Sequence, residues 1–181
     1  MAVRKVMRMG HPVLRQVARP VTMAELQSPA MPVFIQDMVD TLHDYGGIGL
    51  AAPQVGESIR LLIIEMRGGP SRYGELAPMP LSVYVNPELE VLGTETAGYW
   101  EGCLSVPGLR GFVERPQHLR VRYLDLQGRP RTLELRGFQS TVFQHEYDHL
   151  DGRLYIDRIT DHARLAFEDE YVRYHTGDEI D

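Results

Sequence analysis

The sequence predicts an α+β fold in which antiparallel β-sheets pack around a central helix carrying an HExxH motif, with further helices toward the N-terminal and C-terminal ends. Three observations carry this expectation. Residues 30–45 and 138–150 repeat apolar side chains at the three-and-four spacing of a helix. Between them, from about 59 to 137, the pattern changes to short apolar or alternating runs separated by turn residues. The chain of 181 residues, 43% hydrophobic and 24% charged, is long enough to bury a real core as one domain.

Taken in order, the first helix presents Phe34, Ile35, Met38, Val39, Leu42 and Tyr45 as a core-facing stripe, and Gly46-Gly47 stops it. The runs IRLLIIE, SVYVNP, ELEVL, HLRVRYLD and RTLELRG read as antiparallel strands and hairpins, with QGRP turning between the last two. Residues 67–80, rich in Gly and Pro, read as a surface loop, an insertion rather than a substrate lid. FQSTVFQHEYDHL returns to helical spacing with Phe138, Thr141, Val142, His145 and His149 on one face, and Gly152 follows as a stop. A last helix is expected over 160–174, and from about 175 an acidic end that frays.

A formal charge of −6 argues against a nucleic-acid-binding surface. With Cys103 as the single cysteine no internal disulfide can form, which fits a reducing compartment and leaves the thiol free for other chemistry. The N-terminus lacks the apolar stretch of a signal peptide, and no run approaches the roughly 20 apolar residues of a membrane span. A cytoplasmic protein is expected.

In QHEYDHLDG, His145 and His149 stack on one helix face and can converge on one ion, while Glu146 stands beside it without ligating. With seven His in the chain, chance would produce such a pattern on the order of 0.02 times, so the motif favours a metal site over a surface pair. A catalytic metal needs a third protein ligand and one open position. Glu168 or Glu170, about twenty residues downstream, would make a zinc metallopeptidase; the position six after His149, where another peptidase group has a histidine, is Tyr155. Cys103, in WEGCLSVPG, would be a soft ligand for zinc or ferrous iron. A non-catalytic, metal-stabilised binding module is the alternative from another class. GIGLAAPQVG is not a phosphate loop, because it lacks the Lys-Ser/Thr ending. Its small residues suggest backbone lying close to a strand or ligand, and Gln54 is the one polar side chain in an apolar run.

Together GIGLAAPQ at 47–54, EGCLS at 101–105 and QHEYDH at 144–149 resemble the three signature motifs of the peptide deformylases, in the same order and at similar separations. The likeness extends from GHPVLRQVA through VYVNPE. It implies a hydrolase that removes the formyl group from the formyl-methionine of nascent polypeptides and releases formate. Carried over residue by residue, it implies metal ligands Cys103, His145 and His149, which returns Glu168 and Glu170 to surface charges. The implied ion is one divalent metal, ferrous iron in the family's preferred form, with zinc, nickel or cobalt able to substitute. Water activated at the metal would attack the formyl carbon with Glu146 as base and then acid, and Gln54 with the Leu104 N–H would hold the oxyanion.

The resemblance further implies a methionine pocket from Ile48, Tyr99, Phe138, Thr141 and Val142, and backbone rails at Gly49, Leu109 and Arg110 that pair the peptide as an added strand. Glu101 is the expected partner of His145 or of Arg115. The implied partners are formyl-methionyl nascent peptides, with transient ribosome proximity, no direct nucleic-acid binding and no membrane. The acidic FEDEY and GDEID stretches differ from the basic C-terminal helix with which some bacterial deformylases dock near the ribosomal exit tunnel, so docking through this tail is not expected.

Overall fold

The computed structural model describes residues 2–71 and 74–176. Helix α1 (Met23–Leu26) is closed by a capping box between Thr22 and Glu25, and α2 spans Ala30–Asp44. Strand β1 (Gly49–Ala51) runs into a 3₁₀ turn at Ala52–Val55. Then follow β2 (Leu61–Met66), the β3–β4 hairpin (Gly69–Ser71 and Gly74–Leu76), β5 (Met79–Val91), β6 (Thr96–Cys103), β7 (Val106–Pro116), β8 (His118–Leu124) and β9 (Pro130–Arg136). Helix α3 (Phe138–Leu150), strand β10 (Leu165–Phe167) and helix α4 (Glu168–Tyr174) complete the order.

An antiparallel sheet in the order β1-β2-β5-β8-β9 lies between two helices. The continuous run LLII in β2 explains itself in this setting, since strand side chains alternate between faces and both faces are covered. Leu62 and Ile64 pack with Tyr84, Val121, Val142 and Phe143 under α3. Leu61 and Ile63 pack with Met38, Leu42 and Leu50 under α2. A second sheet, β10-β7-β6, packs Val106 and Val113 against Leu154, Tyr155 and Ile159.

Four expectations differ from the observed elements. SVYVNP and ELEVL form one strand, β5, because the break they contain is a bulge between Val85 and Glu88 rather than a turn. Pro87 cannot donate to the ladder there, and Asn86 takes a positive φ of 48° while its amide bridges the backbone of Val21. The Gly/Pro stretch within 67–80 carries the β3–β4 hairpin, although Arg72 and Tyr73 lie outside the described residues. Helix 160–174 begins only at Glu168: Leu165–Phe167 is claimed as a strand by the free edge of β7, and Glu168, Asp169 and Glu170 gather in the first turn, where the helix dipole favours them. Strands β6 and β7 were not expected as strands along their length. Of the acidic end expected to fray from about 175, residues 177–181 lie outside the described residues. No described helix is long and apolar enough to cross a membrane.

Candidate active site

Helix α3 brings two imidazoles to one face, and β6 ends on the thiol that meets them. Cys103 Sγ lies 3.3 Å from His149 Nε2, and donor atoms of Cys103, His145 and His149 all fall within 4.8 Å of one another. The second ring nitrogen of His145 is taken: Nδ1 lies 2.7 Å from Glu101 Oε2, which leaves Nε2 for a ligand role. Glu101 is clamped in turn by Arg115, at 2.6 Å and 3.0 Å, and Arg115 reaches Asp148 at 2.9 Å. Asp148 also accepts from Arg158. Burial pushes the Glu101 carboxyl up, but the Arg115 charge and the hydrogen bond from His145 outweigh it and hold the group below the usual carboxylate range.

Burial likewise opposes ionisation of Cys103, yet the two imidazoles outweigh it and hold the thiol well below its usual range. A thiolate with two imidazoles is a donor set that zinc and ferrous iron both accept. Cys103, rather than Glu168 or Glu170, therefore joins the histidines in the metal-competent group among the described residues.

Glu146 is buried beside that group, and burial pushes its carboxyl up to about 7, a rise that the histidines only partly offset. Its Oε2 has no hydrogen-bond partner among the described residues. Gly49 is the reason it fits: a Cβ there would sit 2.5 Å from Glu146 Oε1. Gln54 is 1% exposed, and its amide is oriented at both ends. Oε1 accepts from the Ala51 N–H at 2.8 Å, while Nε2 donates to Ser105 Oγ at 3.3 Å and toward Cys103 Sγ at 3.5 Å.

A cleft of about 1050 Å³ opens over these groups. Ile48, Gly49, Leu104, Leu109, Arg110, Phe138, Thr141 and Val142 line it. Tyr99 does not; it stands behind Phe138, edge-on at 5.2 Å. Arg110 is not a free cation, because its guanidinium is paired with Glu168 at the start of α4. Lys5, Val6 and Arg8 also line the cleft and were not singled out in the sequence, and Tyr45, expected to face the core, is instead exposed at the end of α2 and lines the cleft as well. Their positions depend on contacts between distant segments, so no local spacing reports them.

The comparisons with known proteins agree with this geometry. Residues 3–165 match the family model described as polypeptide deformylase. A peptide deformylase of Leptospira biflexa is 38% identical over 170 residues, covering 94% of this chain and 95% of that protein. Peptide deformylase 2 of Pseudomonas syringae is 41% identical over 167 residues, 92% of this chain and 93% of that one. Among solved structures, a class I type b peptide deformylase from Acinetobacter baumannii, bound to Met-Ala-Ser, superposes with a TM-score of 0.82 at 40% identity, covering 87% of this chain and 99% of that one. The deformylase from Thermotoga maritima gives 0.78 at 36% identity, covering 89% of this chain and 100% of that one. By family match, identity and fold, the chain belongs to the polypeptide deformylase family, the hydrolases that remove the N-terminal formyl group of polypeptides.

Proposed function

We propose that this protein deformylates the formyl-methionine of nascent polypeptides by metal-assisted hydrolysis, with Cys103, His145 and His149 as the ligands. The observation that carries the reading is the Cys–His–His group at the cleft floor, its donors within 4.8 Å, with the buried carboxylate of Glu146 beside it. A divalent ion in that group would act as a Lewis acid and bring the pKa of water toward neutrality. Ferrous iron and zinc both suit the donor set.

The remaining chemistry belongs to the chain. Glu146 takes a proton from the attacking water and returns one to the departing amine, so the C–N bond breaks to formate and a free N-terminus. The Gln54 Nε2 and the Leu104 N–H donate to the oxyanion that develops on the formyl oxygen; Ala51 and Ser105 hold the amide in that orientation beforehand. Ile48, Phe138, Thr141 and Val142 take the methionine side chain, with Tyr99 buttressing Phe138. Gly49 and Leu109 offer backbone to the peptide as an added strand. Arg110, tied to Glu168, stiffens the wall of the cleft. The peptide found on the Acinetobacter baumannii structure, Met-Ala-Ser, is of the class this cleft would accept.

The test is formate release from a formyl-Met peptide by anaerobically purified protein, with metal analysis of variants alongside. Cys103→Ala loses the metal, whereas Glu168→Ala and Glu170→Ala keep it. The opposite pattern would move the reading to a zinc metallopeptidase, and bound metal without formate to a binding module.

A further inference from the structure

We infer that Lys5 and Arg8 form a subsite for an anionic side chain at the rim of the cleft, favouring formyl-methionyl peptides with Asp or Glu shortly downstream of the methionine. The inference rests on the deformylase reading above and adds a specificity to it.

Lys5 is the single lysine among the chain's nineteen Lys and Arg residues. Both Lys5 and Arg8 line the cleft and both are exposed. Neither side chain has a hydrogen-bond or ion-pair partner among the described residues. That sets them apart from Arg4, Arg15, Arg19 and Arg60, each of which is paired with an acid.

The backbone that presents them is tied down along its length. Ala2 N–H donates to Asp37 Oδ1 at 3.0 Å and Arg4 N–H to Thr41 Oγ1 at 2.8 Å. Further along, Met7 N–H donates to the Gln54 carbonyl and Met9 N–H to the Ser105 carbonyl, each at 2.7 Å. Residues 5 and 8 are thus held beside the Gln54 and Cys103 segments rather than swinging on a loose end. Apart from the Cys–His–His group and Glu146 at its floor, the other charges of the cleft are paired, Arg110 with Glu168 and Glu101 with Arg115. An extended peptide leaving the site therefore meets two uncompensated positive groups, on a molecule whose net charge of −6 would otherwise disfavour an acidic chain. The formylated N-terminus carries no charge of its own, so a downstream carboxylate is the group these cations can read.

The experiment measures kcat/KM for formyl-Met tetrapeptide amides with Asp, Asn or Lys scanned through positions two to four; the amide removes the terminal carboxylate. The expected result is an Asp-over-Asn preference at one position of roughly fivefold, the scale of one or two exposed ion pairs. The preference appears in KM and shrinks with added salt. In the Lys5→Gln/Arg8→Gln variant the Asp:Asn ratio falls to about one, and Lys5→Glu/Arg8→Glu shifts the preference to the Lys peptide. The ratio is internal to each variant, and the single Lys5→Gln and Arg8→Gln changes supply it if a double variant fails to fold. Formate release without Asp/Asn discrimination, or discrimination that persists in the variants, overturns the subsite alone. No formate from any peptide overturns the deformylase reading and the subsite with it.

Discussion

Glu146 Oε1 lies where a Cβ on Gly49 would be, 2.5 Å away, and Oε2 is buried with no partner among the described residues. Burial without a partner costs stability, and in the mechanism proposed above a carboxylate so placed is the proton carrier. Glu146→Gln is therefore expected to retain fold and metal while losing two to four orders of magnitude in turnover, on the order of 10²–10⁴-fold; near-normal formate release would sink the proton-carrier role. Gly49→Ala tests the same contact from the other side. The added methyl forces the carboxylate aside, so kcat/KM is expected to fall on the order of 10²-fold while stability changes by only about 1–3 kcal/mol. An Ala variant with native kcat/KM would show that the contact gives way freely. At this scale the spacing of HExxH was enough to name two imidazoles and a carboxylate, whereas the thiol of Cys103 was separated from Glu168 and Glu170 only by the family resemblance, because it lies on a distant strand. The Arg110–Glu168 pair was not, because its partners are 58 residues apart in sequence.

Helix α3 and strands β6 and β7 share one buried charged cluster, with Glu101 on β6, Arg115 on β7 and Asp148 on α3. Arg115 joins the two carboxylates, and one of them aims His145. Arg115→Met would leave both buried acids without their shared cation and is expected to cost about 3–5 kcal/mol, read as a shift of the urea midpoint at constant slope. Arg115→Lys is expected to recover little, since an ammonium cannot reproduce the forked contact; a loss below about 1 kcal/mol in Arg115→Met would contradict the structural weight given to the cluster. The helices that carry such residues were readable from their three-and-four spacing. Strands β6 and β7 were not, because glycines interrupt their alternation where side chains from the neighbouring strand need the room. A Cβ on Gly98 would collide with the Phe112 ring, and one on Gly102 with the Arg110 guanidinium.

Across the whole molecule a set of acids is held ionised by partners, which sets how the fold responds to pH. LLII was legible as a strand but not as the middle of a sheet covered by both α2 and α3, and the pairing of surface acids with distant arginines was not legible either, since both depend on which segments the fold makes neighbours. Glu101, Asp125, Glu134, Asp148 and Asp157 all sit below their ordinary range. Glu25 shows the sign most plainly. Hydrogen bonds from Arg19, then from the Thr22 backbone and hydroxyl, lower it from 4.5 to about 2. A folded-state pKa below the unfolded one means the folded protein binds fewer protons, so the contribution is fully present above 4.5 and is lost as pH falls through about 2. Acid unfolding should accordingly begin below pH 4.5, where the unfolded carboxylates start to protonate. Comparing wild type with Glu25→Gln by denaturant unfolding isolates one such group, because any pH dependence of metal binding is common to both. The stability gap between them is expected to be constant from neutral pH down to 4.5 and to close toward pH 2. A gap that stays constant to the acid end would mean that Glu25 is not held ionised by Arg19 and Thr22, and a gap that widens there would reverse the sign of the linkage.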